Sequence, residues 1–271
     1  MKVAFQGEPG AYSEQAVFGY LGAVETVPCE SFDDVFAAVT NQRVDSGLIP
    51  IENSLAGSIH QNYDLLLRNQ LWIVGEYFLR VHHCLIAAPG VQKADIKKII
   101  SHPQALGQCA GYIRAMGAKP EQVFDTAGSV KMLRESGDKT TGAIASRRAA
   151  ELYGMNILQE GVEDDPENYT RFLQITTSAV TPETDAKTSI VFSLKNQPGA
   201  LFKAMSVFAL RDIDLTKIES RPIAGAPWEY MFYIDFAGST NDEHVKKALD
   251  HLQEYALTFR ELGCYKRHRP E

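Results

Sequence analysis

The first 180 residues of this 271-residue chain predict an α/β fold, and residues 187–267 predict a separate α+β module. Three observations carry this. Up to about residue 180, short apolar runs alternate with helical periodicities, the pattern of layered strands and helices around parallel sheet. Residues 177–187, rich in Ser, Thr, Pro, Glu and Asp, read as a linker. Beyond them the order becomes strand, helix, strand, strand, helix, strand, the ferredoxin-like split βαβ arrangement.

The elements follow in order. Residues 2–6 read as a strand. Residues 13–21 read as a helix with Ala16, Val17, Tyr20 and Leu21 on one face and Ser13 as its N-cap. Residues 31–39 open with a Ser-x-x-Asp variant of the capping box and keep Phe32, Val35, Phe36 and Val39 in register. Strands are expected over 44–51, 72–78 and 84–88, and at 99–100. A helix from Pro103 places Leu106, Cys109, Ile113 and Met116 on one face. Further strands are expected at 123–124, 143–144 and 172–176, with helices between them. In the C-terminal module a strand over 188–194 leads to a helix over 198–210 that packs Leu201, Met205 and Phe208. Alternating strands follow at 213–219 and 230–236. A helix over 242–255 buries Val245, Leu249 and Leu252, and a last strand covers 259–265.

Net charge of −7 argues against non-specific nucleic-acid binding; the short basic run from Lys266 to Arg269 reads as a terminus. An anionic ligand must then be held by local donors, not by the field of the whole chain. The four cysteines form no C-x-x-C pair and read as thiols of a reducing compartment. Cys84 follows His82 and His83, but neighbours on a strand point to opposite faces, which disfavours a metal site there. No stretch approaches the ~20 apolar residues of a membrane helix. No signal or transit peptide precedes the first strand, so a cytoplasmic protein is expected, or a plastid stromal one if a plant transit peptide has been removed.

Four polar clusters sit at strand ends, where α/β sheets bind ligands. Gly7 to Ser13 pairs glycines with a helix start, suited to an anion or to a plain βα turn. Glu52, Asn53 and Ser54 directly follow an apolar run; Glu52 reads as an acid, a base or a loop anchor, and Asn53 as both donor and acceptor. Ser101, His102, Gln104 and Gln108 join a strand to a helix, with Gln104 and Gln108 on one face and His102 as a cap or supporting hydrogen bonder. Thr170 and Arg171 set a hydroxyl beside a guanidinium suited to bidentate carboxylate recognition. Beside these four, Asp125 to Ser129, including Thr126 and Ala127, repeats the strand-turn-helix design with small residues.

Taken together, Gly10-Ala11-Tyr12-Ser13-Glu14, Pro50-Ile51-Glu52-Asn53-Ser54, Ser101-His102-Pro103-Gln104-Ala105-Leu106 and Thr170-Arg171-Phe172 resemble the prephenate dehydratase family. Pro198-Gly199-Ala200-Leu201 and Ile218-Glu219-Ser220-Arg221-Pro222 are similar to the phenylalanine-binding members of the ACT regulatory domains. Ala11 departs from the family, many bacterial members having Thr there. The resemblance implies a two-lobed, periplasmic-binding-protein-like (type 2) catalytic domain over 1–180, with lobes near 1–77 plus 160–180 and near 80–158. An ACT domain over 187–267 completes the chain.

What the resemblance implies about function is decarboxylation and dehydration of prephenate to phenylpyruvate in phenylalanine biosynthesis, without metal or organic cofactor. Arogenate, the transaminated substrate, is the alternative and gives phenylalanine directly. Thr170 is the implied donor to the departing hydroxyl, Arg171 is given a carboxylate to hold, and Asn53 and Gln108 orient. Ser13, Glu52, Ser54, Ser101, His102, Gln104, Thr126, Ala127 and Phe172 line or support the substrate. L-phenylalanine is the implied effector, bound where ACT modules pair in a homodimer or homotetramer, by Gly199, Ala200, Leu201, Asp214, Glu219, Ser220, Arg221 and Pro222. Asp214 stands where many relatives have Asn. A non-catalytic phenylalanine sensor is the reading of a different class.

Overall fold

The computed structural model describes residues 1–223 and 225–269. The chain divides into two compact units, one of residues 1–65 and 77–172, the other of residues 66–76 and 173–269.

Two sheets organise the elements up to residue 176. The elements are β1 (Lys2–Gln6), α1 (Tyr12–Leu21), β2 (Glu25–Cys29), α2 (Phe32–Thr40), β3 (Ser46–Asn53), β4 (Gly57–Ser58), α3 (His60–Arg68), β5 (Trp72–Arg80), β6 (Cys84–Ala87), β7 (Lys98–Ser101), α4 (Pro103–Gln108), α5 (Ala110–Met116), β8 (Lys119–Gln122), α6 (Thr126–Ser136), β9 (Thr141–Ala145), α7 (Arg147–Tyr153), β10 (Asn156–Glu160) and β11 (Tyr169–Thr176). The first sheet runs β2-β1-β3-β11-β5 with β4 paired to β3, and the second runs β10-β6-β9-β7-β8. Helical crossovers make β1 parallel to β2 and β3, and β7 parallel to β8 and β9. β6 is antiparallel to β9 and β10, because it enters its sheet directly from β5 rather than through a crossover.

The predicted faces are the buried ones. Val3, Phe5 and Leu48 of the central strands pack with Ala16 and Val17 of α1 and with Ala145 and Ala149 of β9 and α7. The capping box of α2 forms: Asp34 N–H donates to Ser31 Oγ at 3.2 Å, and Ser31 N–H donates to Asp34 Oδ2 at 3.1 Å. Three local expectations are corrected. The N-cap of α1 is Ala11, not Ser13, because Glu14 reaches back to accept from Gly10 N–H at 2.8 Å. The helix from Pro103 is not continuous. It breaks at Cys109, and Asp164 caps the new start by accepting from Gly111 and Tyr112 N–H. The strand expected at Val123 and Phe124 lies earlier, as β8; Phe124 is left 91% exposed at the rim of a cavity.

Gly10 cannot carry a side chain. Gly10 has φ +92°, and a Cβ there would stand 2.9 Å from Ala149 Cα. Its carbonyl accepts from Ser146 Oγ at 2.6 Å, which ties the entry of α1 to the start of α7.

The C-terminal elements are β12 (Ala186–Leu194), α8 (Ala200–Ala209), β13 (Leu215–Ile223), β14 (Ala226–Ala237), α9 (Glu243–Tyr255) and β15 (Ala256–Lys266), in an antiparallel sheet ordered β13-β14-β12-β15. This is the predicted ferredoxin-like order, and the chain as a whole has the α/β plus α+β class read from its sequence. Ile190, Phe192, Phe208, Phe236 and Leu252 form the core. Leu201, expected inside, is half-exposed; Ala204, Val207 and Phe208 are the buried residues of α8. Residues 66–76 join this unit through polar contacts. Arg260 donates to the carbonyls of Leu66 and Leu71 at 2.9 Å each, and Lys187 Nζ lies 2.8 Å from Glu76 Oε2, both side chains buried.

Candidate active site

A cavity of about 600 Å³ opens in the first unit, bordered by residues of both sheets and of the turns that follow β1, β3 and β7. Eight of the residues singled out from sequence border it: Ser13, Asn53, His102, Gln104, Gln108, Thr126, Thr170 and Phe172.

Asn53, at the end of β3, organises one wall. Its Oδ1 accepts from the N–H groups of Leu55 and Ala56, which fixes which way the amide points. Its Nδ2 then donates to Asn168 Oδ1 at 2.7 Å, Tyr169 O at 3.1 Å and Thr170 Oγ1 at 3.0 Å. Because Thr170 Oγ1 accepts this bond, its own proton is left to donate elsewhere. Ser54 holds the loop behind: its hydroxyl donates to Glu167 O and accepts from Tyr169 N–H.

The opposite wall carries residues the sequence reading missed as site residues. His83 is buried, while its neighbour His82, on the same connection between β5 and β6, is exposed. His83 Nε2 meets Gln108 Oε1 at 2.8 Å, and Nδ1 meets the Tyr12 hydroxyl at 2.7 Å. With the Gln108 oxygen as acceptor, Nε2 carries the proton and Nδ1 is an acceptor; the single Tyr12 proton is shared between Nδ1 and His82 O, which lies 2.9 Å from the same hydroxyl. The NH₂ half of Gln108 is thereby left for a ligand. Burial holds the His83 pKa below the ordinary histidine value, against the raising effects of the Gln108 bond and the nearby Glu163. Burial also pushes the Tyr12 phenol well above its usual value, so it stays protonated. Tyr12 lay in plain view within the Gly10 to Ser13 motif; His83 was visible only as one of two adjacent histidines.

The depressed value of His83 makes a stability prediction. Folded His83 resists a proton that the unfolded chain takes up below pH ~6.5. Its stabilising effect is fully present above that pH and is lost as pH falls from there through the lower folded value. His83→Gln, which keeps a donor toward Gln108, is expected to flatten the fall in melting temperature between pH 7.5 and 5.5. Identical slopes in the two proteins would contradict this.

No lysine or arginine is among the described residues that border the cavity. The start of α1 borders it, and Ala11 gives that helix start no side-chain cap, whereas the start of α6 is capped by the Asp125 carboxylate. An anion would therefore be held by oriented neutral donors and the start of α1. Arg171 does not border the cavity: alternation along β11 puts Thr170 and Phe172 toward it and Arg171 on the other face, buried, with its guanidinium 5.9 Å from the Phe78 ring centroid. Glu52 does not border the cavity and pairs in register with Ser58. Ser54, as above, supports rather than lines. Ser101 is fully buried and donates to Ile144 O at 2.6 Å, and Ala127 is a core residue of α6. His102 caps α4 by accepting from Gln104 N–H at 3.2 Å and also borders the cavity. Asp125, a carboxylic acid on its border, has its pKa raised by burial, against the lowering hydrogen bond from Gly128 N–H. Burial disfavours the thiolate form of the nearby cysteines, pushing Cys84 up to about 11 and Cys109 higher still.

The second unit has a smaller cavity of about 120 Å³ bordered by Ala200 and Leu201 from the predicted effector set, and by Trp228 and Tyr230, which sequence reading did not select. Gly199 shapes it indirectly, capping α8 in the left-handed conformation at φ 79°. Asp214, Glu219, Ser220, Arg221 and Pro222 do not border it. They lie before or on β13, where Pro222 pairs with Tyr230.

The fold and site thus define an α/β unit with a cavity bordered mainly by neutral polar and apolar side chains, joined in one chain to a ferredoxin-like module. A sequence profile described as prephenate dehydratase matches residues 3–179, and one described as ACT domain matches residues 188–252. The chain belongs to the prephenate dehydratase family and carries an ACT domain. It is 50% identical to an Arabidopsis thaliana protein described as arogenate dehydratase/prephenate dehydratase 1, chloroplastic, over 98% of this chain and 72% of that protein. A solved prephenate dehydratase from Arthrobacter aurescens in complex with L-Phe superposes with a TM-score of 0.90 at 32% identity, covering 98% of this chain and 90% of that one. A structure described as GqqA, a novel type of quorum quenching acylase, superposes at 0.93 with 38% identity over 99% and 98% of the two chains. No helix among the described residues is long and apolar enough to cross a membrane.

Proposed function

We propose that this protein is a carbon–oxygen lyase that decarboxylates and dehydrates prephenate to phenylpyruvate in phenylalanine biosynthesis, or arogenate to phenylalanine. The observation that carries the reading is the Asn53 to Thr170 hydrogen bond, which leaves the Thr170 proton available at the cavity. In the reaction the ring carboxylate leaves as CO₂, its bonding electrons enter the ring, and hydroxide departs and becomes water by taking a proton. Aromatisation drives the step, but hydroxide is a poor leaving group. A donor held ready where its charge develops therefore lowers the barrier. Thr170 supplies that hydrogen bond and shares in proton delivery. Gln108, placed against His83, and the uncapped start of α1 hold the substrate's carboxylates. Catalytic residues fall within 1–180 and regulatory ones within 187–267, with lobes near 1–77 plus 160–180 and near 80–158.

The effector reading is feedback by L-phenylalanine. The ACT profile match, the phenylalanine-bound relative and the apolar cavity at Ala200 and Leu201 support it. Pairing of two such modules in a homodimer or homotetramer would complete a pocket with Glu219 to Pro222 that one chain leaves open. The reading requires phenylalanine to favour one state of the protein over another.

Turnover with prephenate and arogenate side by side, with and without phenylalanine, tests both parts. Conversion of either substrate supports the lyase, and the faster one names the reaction. Loss of turnover in phenylalanine, together with a raised melting temperature, supports feedback. An inert protein that still binds phenylalanine is a sensor, and saturating phenylalanine that changes neither turnover nor melting temperature removes the effector.

A further inference from the structure

Asn168 precedes β11 and borders the same cavity, yet it is fully buried. Its Oδ1 accepts from Asn53 Nδ2 at 2.7 Å. Its Nδ2 has no hydrogen-bond partner among the described residues. The orientation of this amide is fixed by a chain of partners. Leu55 and Ala56 N–H set the oxygen of Asn53, so the nitrogen of Asn53 faces Asn168, so the oxygen of Asn168 faces Asn53. Turning the Asn168 amide over would put two NH₂ groups against each other. A buried amide donor left unmade carries its whole desolvation penalty, and native structures rarely keep one without a use.

We infer that Asn168 is a second donor to the substrate oxygen that Thr170 serves, its acceptor arriving with the substrate. The assignment rests on the lyase reading above and deepens it. Two facts locate the shared oxygen. Asn53 Nδ2 donates both to Asn168 Oδ1 and to Thr170 Oγ1, so one nitrogen holds the two side chains together. Both residues also border the cavity, and because Asn168 Nδ2 is itself shut off from solvent, it meets the oxygen that takes the Thr170 proton only once the substrate is seated against it. The pair forms a small hole for the departing hydroxide, with one O–H and one N–H donor, both positioned by Asn53. Such a donor acts where charge develops, so its loss lowers kcat and leaves KM nearly alone.

Two variants test it in the full-length protein. Asn168→Asp keeps the shape and the acceptor for Asn53 but has no donor when ionised. Asn168→Ala removes the donor without adding charge. Both are expected to lose roughly 10²–10³-fold in kcat with KM little changed. Relative to wild type, Asn168→Asp should recover turnover as pH is lowered, because a protonated carboxyl donates again, and Asn168→Ala should not. Wild-type kcat in the Ala variant, or a loss confined to KM, would overturn the assignment while wild-type turnover keeps the lyase reading. A wild type that converts neither substrate would overturn that reading and the assignment with it.

Discussion

Thr170→Ala is expected to lower kcat by about 10²–10³-fold, the usual effect of deleting one donor at a developing oxyanion, with little change in KM or melting temperature. The fold should survive because the bonds that hold the segment remain. Asn53 Nδ2 still has Asn168 Oδ1 and Tyr169 O as acceptors, and Ser54 still staples Glu167 and Tyr169. Thr170→Ser keeps the hydroxyl and should keep most of the turnover. A Thr170→Ala protein with half or more of wild-type kcat would remove Thr170 from the chemistry.

Lys187→Met is expected to be the costliest single change for stability. The Lys187 ammonium lies 2.8 Å from Glu76 Oε2, and neither side chain is more than 6% exposed. The other carboxylate oxygen of Glu76 accepts from His268 N–H at 3.1 Å, so the pair anchors β5, β12 and the end of the chain within one unit. Removing the lysine strands the carboxylate in a dry environment without that cation, a cost of about 3–5 kcal/mol. The double variant Lys187→Met/Glu76→Gln has no buried charge to strand and keeps an acceptor for His268. It should melt closer to wild type than Lys187→Met alone. Denaturant melts of the three proteins decide it, and a single variant within about 1 kcal/mol of wild type would show that the pair is not needed.

How far the sequence reached depended on whether a signal was local. The capping box of α2, the buried faces of α1 and α9 and the βαββαβ order of the C-terminal unit rest on spacing within one segment, and the structure has them. The break at Cys109 depends on Asp164, more than fifty positions away, capping α5, so no local pattern announced it. The same holds in the site. Asn53, Gln108 and Thr170 stood out because polar residues interrupt or follow apolar runs. Arg171 and Glu52 stood out for the same reason, yet neither borders the cavity. Alternation could have separated Arg171 from Thr170, since neighbours on a strand cannot both face one cavity. His83 and Asn168 were not legible as site residues, because their roles lie in contacts with Gln108 and Asn53 that only the fold creates.

The central claim is that the cavity around Thr170 expels CO₂ and water from a single substrate. The most direct test measures CO₂ release and aromatic product together, for wild type and Thr170→Ala, on prephenate and arogenate. The account predicts one CO₂ per aromatic product in the wild type on at least one substrate, with both signals falling together in the variant. Turnover unchanged in Thr170→Ala, or no product from either substrate with folded wild-type protein, would contradict it.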